Sequence, residues 1–264
     1  MEVFGYFASA LIGISLGLIG GGGSILTVPV LVYLFQLPPV QATAYSLFIV
    51  GSTALVGSFD YMRRGLVDFR AALWFAPPSL VGVYLVRRLV VPSLPDVLLS
   101  VGSYELERDS AILLLFALLM IGTASSMIKS RKEPEQSAGT KPFNTPLIAI
   151  EGLVVGALTG LVGAGGGFLV IPALVLLAGL PMKQAIGTSL FIIAAKSLLG
   201  FVGDVQASAN ISWGFVLTLT SISVLGIFVG SFLNSKVSGN SLKPVFGFLV
   251  LVMGVYMLAS ELLP

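Results

Sequence analysis

The chain alternates long apolar runs with short polar or glycine-rich stretches. Ten apolar segments can be read, five in each half. The first half has Phe4–Ile19, Ile25–Phe35, Ala44–Phe59, Ala71–Val86 and Ala111–Ile128. The second has Pro146–Val162, Phe168–Ala178, Thr188–Val202, Trp213–Asn234 and Leu242–Leu262. A helix needs about 20 residues to span hydrocarbon. The second segment of each half reaches only about half-way, so it is expected to form a hairpin with the first, its glycine tip deep in the bilayer. Exposed backbone is very unfavourable in lipid, so each tip must be buried in protein or line a wet cavity. The polar stretch Lys129–Pro146 reads as a linker, giving a first repeat over 1–128, a linker over 129–146 and a second repeat over 147–264. Within a second polar stretch, Val91–Ser110, the spacing of Leu94, Val97, Leu98 and Val101 predicts a short interfacial helix.

The halves share a signature. Gly17-Leu18-Ile19-Gly20-Gly21-Gly22-Gly23-Ser24 with Pro29 answers Gly160-Leu161-Val162-Gly163-Ala164-Gly165-Gly166-Gly167 with Pro172, at an offset of 172 − 29 = 143. Leu37-Pro38 answers Leu180-Pro181, Gln41-Ala42 answers Gln184-Ala185, and Ser46-Leu47-Phe48-Ile49 answers Ser189-Leu190-Phe191-Ile192. About half of the positions from Gly17 to Gly57 match their partners. A duplicated half with a glycine break at membrane depth points to a transporter binding site.

Composition agrees with a lipid environment. Of 264 residues, 56% are hydrophobic and 10% charged, with a mean hydropathy of +1.02. Soluble domains carry roughly 25% charged residues. The net charge of +2 gives no basic face for nucleic acid. Without cysteine or histidine there are no disulfides, no thiolate chemistry, no imidazole metal ligands and no usual general base. These absences argue against an integral membrane enzyme, and no metal or cofactor is implied. The N-terminal apolar run outlasts a signal-peptide core and contains the repeat, so it is read as part of the mature fold.

Charge sets the expected topology. Cytoplasmic loops carry excess Lys and Arg. With five segments per half, Arg63, Arg64, Arg70, Lys129, Arg131, Lys132, Lys141, Lys183, Lys236 and Lys243 fall inside, which is ten of the fourteen basic residues. The Arg87–Asp109 stretch and Asp204 fall outside, where interfacial solvation is the expected role of Asp204. Four segments per half would move Lys236 and Lys243 outside, so five is favoured. An odd count makes the halves an inverted repeat, with both termini outside. The fold expected is therefore an all-α integral membrane protein of two homologous halves, whose glycine-tipped hairpins meet near the bilayer midplane.

Glycine runs that end one helix and start the next let several N–H groups converge on an anion, aided by the positive end of the helix dipole. Gly21, Gly22, Gly23 and Ser24, with Gly165, Gly166 and Gly167, are the candidate contacts, although small residues also serve close helix packing. Lys196 lies mid-segment, where a charge costs about 3 kcal/mol on insertion scales. It has no acid nearby in its own segment, which makes an anionic substrate a candidate partner. Its repeat counterpart is Thr53, so the expected site is asymmetric. Thr53 and Lys196 each follow their serine, Ser46 or Ser189, by seven residues, and Thr188 adjoins Ser189.

These residues resemble the sulfite exporter TauE/SafE family of membrane permeases. The two glycine stretches, Pro29 and Pro172, and the Leu-Pro-x-x-Gln-Ala-x-x-x-Ser-Leu-Phe runs carry the resemblance over essentially the whole chain. It implies movement of sulfite, sulfoacetate or related small sulfur-containing anions, often outward across a bacterial or archaeal cytoplasmic membrane. It also implies that Gly20–Ser24 and Gly163–Gly167 are substrate-contacting turns. Ala164 stands where the first copy has Gly21, so the two nests need not be equivalent. A secondary transporter with alternating access is the leading reading. An anion channel with the same filter stays open, as do a proton or sodium ion as coupling partner. The small-residue face Gly226-Ile227-Phe228-Val229-Gly230 fits either a homodimer contact or internal packing.

Overall fold

A computed structural model describes residues 2–101, 104–129, 145–163, 165–176, 178–206 and 211–262. Helix α1 covers Glu2–Ile19. Helix α2, Gly22–Pro29, runs into a π-helical turn over Val30–Leu34. Helix α3 covers Pro39–Arg63. Helix α4, Phe69–Leu85, is prolonged by a π-helical turn, Val86–Val90, and a single turn α5, Val91–Ser93. A hairpin of β1 (Val97–Val101) and β2 (Tyr104–Glu107) leads into α6, Arg108–Lys129. The second half has α7 (Thr145–Val162), α8 (Gly167–Leu176), α9 (Met182–Gln206), α10 (Trp213–Lys236) and α11 (Gly239–Leu262). Of the expected linker, 130–144 lies outside the described residues.

Local chemistry explains several boundaries. Pro39 occupies the first turn of α3, where its missing N–H removes no helix bond. Gly65, at φ +68°, turns the chain beyond α3. The Asp68 carboxylate accepts the Ala71 N–H at 2.9 Å and caps α4. Five helical stretches are long and apolar enough to cross a membrane: Pro39–Arg63, Phe69–Ser93, Arg108–Ser125, Met182–Gln206 and Trp213–Lys236. Shorter apolar helices lie over Phe4–Ile19, Gly23–Leu34, Pro146–Val162 and Gly247–Leu262. The chain is an all-α, multi-pass integral membrane protein, apart from the small hairpin.

Helices α3 and α9 pack against each other at the centre, the most deeply buried of the candidate spans. Helix α4 packs on α9 and α10 on α3, while α1 lies along α10, α7 along α4 and α6 along α11. The sequence offset extends to the helix ends. Adding 143 to the ends of α3, 39 and 63, gives those of α9, 182 and 206, and adding it to those of α1, 2 and 19, gives those of α7, 145 and 162. Exchanging each helix for its counterpart turns the α1–α10 contact into α7–α4 and leaves α3–α9 unchanged.

Glycine brings the outer pairs together. A Cβ at Gly13 would lie 1.9 Å from the Ser223 carbonyl oxygen, and one at Gly230 would lie 2.1 Å from that of Ile14. Across α4 and α7, a Cβ at Gly152 would sit 2.4 Å from the Phe75 oxygen and one at Gly156 2.3 Å from that of Ser79. Interhelical bonds add to this packing, with Ser223 Oγ donating to the Ser9 carbonyl at 2.9 Å and Asn234 Nδ2 to that of Leu18 at 2.6 Å. The Gly226–Gly230 face is therefore internal, with Gly226 and Gly230 both seated on α1.

The expected interfacial helix over Val91–Ser110 is replaced by other structure. The α4 helix continues to Ser93, and Val97–Val101 pairs antiparallel with Tyr104–Glu107. The apolar residues that mimic helical spacing include β-branched Val97 and Val101, which suit a strand, and Val101 pairs with Tyr104.

Gly230→Val is expected to destabilise the α1–α10 contact by at least about 1–3 kcal/mol, as overpacking does. Gly122→Ala, at a helical glycine whose added Cβ meets nothing within 4 Å, should be neutral or slightly stabilising. Thermal unfolding of both variants in detergent checks the contrast. Equal melting temperatures would remove the close-packing argument.

Candidate functional site

The two glycine stretches meet backbone to backbone. A Cβ at Gly21 would lie 2.5 Å from the Gly167 carbonyl carbon, and one at Gly167 would lie 2.4 Å from Gly21 Cα. No side chain fits at either position without displacing main chain. The turns begin alike, with Gly20 at φ +75° and its counterpart Gly163 at φ +68°. They then diverge, because Gly165 and Gly166 are also left-handed, at +63° and +73°, and α8 starts at Gly167. In the first copy α2 already starts at Gly22, so Gly22, Gly23 and Ser24 are its opening residues. Glycine takes this left-handed conformation without the penalty that a Cβ imposes.

The second turn is surrounded by polar groups from α3, α4, α7 and α9. A Cβ at Gly166 would lie 2.5 Å from Lys196 Nζ and 2.1 Å from Thr159 Cγ2. A Cβ at Gly165 would approach Ser197 Oγ at 3.2 Å, and one at Gly163 would lie 2.1 Å from Arg87 Nη2. The lack of a side chain at Gly163 and Gly166 is what lets two cations approach the main chain there.

Lys196 is 1% exposed, and its ammonium donates to Thr159 Oγ1 at 3.2 Å. The ion pairs among the described residues are Arg64–Asp60, Arg87–Asp204, Arg108–Asp96 and Arg108–Asp109, and Lys196 belongs to none. A buried charge is normally paired. A neutral hydroxyl satisfies one N–H of the ammonium but supplies no countercharge.

The other expected site residues divide into two groups. Ser46 Oγ and Thr53 Oγ1 are buried without a hydrogen-bond partner among the described residues, as is Ser197 Oγ. The side chains of Ser24, Ser189 and Thr188 are already hydrogen-bonded. Ser24 Oγ donates to the Gly21 carbonyl at 2.7 Å, and Ser189 Oγ to that of Ile186 at 2.8 Å while standing 2.9 Å from where a Gly20 Cβ would be. Thr188 Oγ1 accepts the Asp68 N–H at 2.8 Å, tying α9 to the α3–α4 connection. No group of three or more acidic residues that could hold a metal occurs among the described residues.

Two groups expected in the outer loops are inside. Arg87 is fully buried, with Nη1 3.4 Å from Asp204 Oδ1 and donating to Thr43 Oγ1 at 3.1 Å. Asp204 is 7% exposed rather than solvated at the interface. The helical extension beyond Leu85 carries Arg87 inward against α9, whereas apolarity alone ends this segment before the Arg87-Arg88 pair. A signal for the missed residues exists in the repeat. Thr159 and Lys196, which touch, correspond at the 143 offset to Leu16 and Thr53; Arg87 and Asp204, which touch, correspond to Gly230 and Tyr61. At these two places a polarity difference between the halves falls on both members of a contacting pair.

The family model for the sulfite exporter TauE/SafE matches residues 6–257. The chain belongs to this family. A "probable membrane transporter protein" of Xylella fastidiosa is 29% identical over 259 residues, covering 95% of this chain and 92% of the relative. The "probable membrane transporter protein YunE" of Bacillus subtilis is 29% identical over 256 residues, 90% of each chain. A similarly named protein of Methanocaldococcus jannaschii is 27% identical over 268 residues, 94% of this chain and 92% of its own. No solved structure matches the chain. Family and relatives identify a membrane transporter rather than an enzyme, working in a lipid bilayer on a small substrate.

Gly166→Ala is expected to destabilise by about 1–2 kcal/mol through its left-handed backbone alone, and to push Lys196 away from the turn. Gly65→Ala, also left-handed but with nothing within 4 Å of an added Cβ, isolates the backbone effect. Unfolding of both in detergent, with anion binding measured alongside, checks this. Binding that survives Gly166→Ala as well as it survives Gly65→Ala would show that the Lys196 contact is dispensable.

Proposed function

We propose that this TauE/SafE member is a secondary transporter that carries small sulfur-containing anions, such as sulfite, sulfoacetate or other organosulfonates, by alternating exposure of the site at which the two glycine turns meet. The observation that carries this reading is a buried ammonium, Lys196, with no carboxylate paired to it among the described residues, against the glycine main chain at Gly166. The substrate supplies the missing negative charge. The glycine main chain, Lys196, Ser46 and Thr53 hold its oxygens, with Ser189 lining the site beside Gly20, and Thr188 ties α9 in place beside them.

The halves 1–128 and 147–264 act as an inverted repeat joined by a cytoplasmic linker, 129–146. The exchangeable helix contacts and the excess of basic residues on one side support this arrangement. The meeting of Gly21 and Gly167 supports hairpin tips facing each other near the midplane. The protein resides in the cytoplasmic membrane of a bacterium or archaeon and exports its substrate, with a proton or a sodium ion as the coupling ion. A homodimer, if formed, uses a surface other than the Gly226–Gly230 face.

Binding of sulfite, sulfoacetate, taurine, sulfate and acetate to the purified protein in detergent tests the reading. Saturable binding of sulfite or a sulfonate is expected, and Lys196→Ala or Lys196→Glu should weaken it at least about tenfold, as loss of a charge-assisted contact does. Lys183→Ala, in the first turn of α9, should leave it near wild type. Equal and negligible effects of all three substitutions would overturn the buried-site reading.

A further inference from the structure

Arg87 is bound less completely than a buried guanidinium requires. Its side chain is fully buried, yet Asp204 meets it through one oxygen at 3.4 Å. Arginine–carboxylate pairs are commonly two-pronged, at about 2.7–2.9 Å. Arg87 Nε and Nη2, and Asp204 Oδ2, have no hydrogen-bond partner among the described residues. The unpartnered Nη2 points at the glycine turn, 2.1 Å from where a Gly163 Cβ would lie. Lys196 Nζ stands at the other end of the same turn, beside Gly166. Three residues of chain span at most about 11 Å, so both cations serve one short loop.

Resting on the reading that the glycine turns bind a small oxyanion, we propose that Arg87, Thr43 and the Gly163 turn form a second anion-binding point, at which Asp204 is a built-in competitor for the transported anion. The open edge of the guanidinium, Nε and Nη2, is a planar fork that fits two oxygens on one centre. It therefore selects sulfite or a sulfonate over a spherical halide. Asp204 keeps the guanidinium charge compensated when the point holds no substrate. This matters because an uncompensated buried charge is far more costly than a weakly paired one. The anion takes the unpaired edge, where the Asp204 carboxylate on Nη1 competes with it for the single guanidinium charge and gives way. Arg87 lies in the first half and Asp204 in the second, and theirs is the one ion pair between the halves among the described residues. Occupation of this point thus loosens a tie between the halves while the substrate passes along the loop from Lys196.

The charged pair has no equivalent at the related position, where Gly230 and Tyr61 stand and Tyr61 Oη donates to the Gly17 carbonyl at 2.6 Å. The second point therefore belongs to one end of the molecule only.

The test is equilibrium binding of sulfite and of chloride to the purified full-length protein in detergent, for wild type, Lys196→Ala, Asp204→Asn and the double variant Arg87→Met/Asp204→Leu. Removing the competitor should tighten sulfite binding by Asp204→Asn roughly tenfold, a gain that a purely structural pair would not produce. The double variant removes both charges and should stay folded, because buried ion pairs tolerate apolar replacement. It is expected to lose the preference for sulfite over chloride. Unchanged or weaker sulfite binding by a folded Asp204→Asn, or an undiminished preference in the double variant, would overturn the second point while leaving the Lys196 site standing. Absence of saturable binding by wild type would overturn both readings. If Asp204→Asn fails to fold, the double variant decides the question.

Discussion

The contact on which the rest of this structure depends is the approach of two glycine turns, Gly21 against Gly167, inside an apolar protein. Non-helical backbone at membrane depth must be enclosed by protein or by a wet cavity. Enclosure comes from the central α3–α9 pair and from α4 and α10 packed upon it. Helices α1 and α7 in turn lie close against α10 and α4 through glycines at the contact, Gly13 on α1, Gly230 on α10, and Gly152 and Gly156 on α7. The glycines at Gly13, Gly152, Gly156 and Gly230 and those at the turns therefore do different work. The first set lets helices touch, while the second leaves main chain open to charged groups.

The two halves share a scaffold and differ in chemistry. Lys196 with Thr159 replaces Thr53 with Leu16, and Arg87 with Asp204 replaces Gly230 with Tyr61. Duplication alone would place equal groups on both sides of the turns. These two contacting pairs instead lie around the second turn, which is also the one with three left-handed glycines. Burial explains the pairing, because a charge introduced at one position is tolerated when a polar group appears beside it. Lys196 has gained a hydroxyl but, among the described residues, no carboxylate.

Membrane character, the ten apolar segments and the duplication were legible in the sequence because hydropathy and repetition are local, additive signals. The predicted segments correspond to α1–α4, α6–α11 and their π-helical extensions. Lys196 was also legible, since one charge inside an apolar run needs no alignment to notice. The region after Val86 was not. Apolar side chains at helical spacing there also suit a strand, and only pairing of Val97–Val101 with Tyr104–Glu107 decides between them. Similarly, Gly226–Gly230 as a string of small residues fits a dimer contact or an internal one. Its proximity to the α1 main chain settles the matter.

Sequence by itself determined the solvent, the segment count, the repeat offset and the family, because each follows from residue type and order along the chain. Only the tertiary structure decided which polar groups meet. Thr159 stands 37 positions from Lys196, and Arg87 stands 117 from Asp204. No periodicity links residues so distant. The first contact arises from two helices of the second half, α7 and α9, and the second from the extension of α4 packed on α9 of the other half, and the surroundings of the glycine turn follow from that packing.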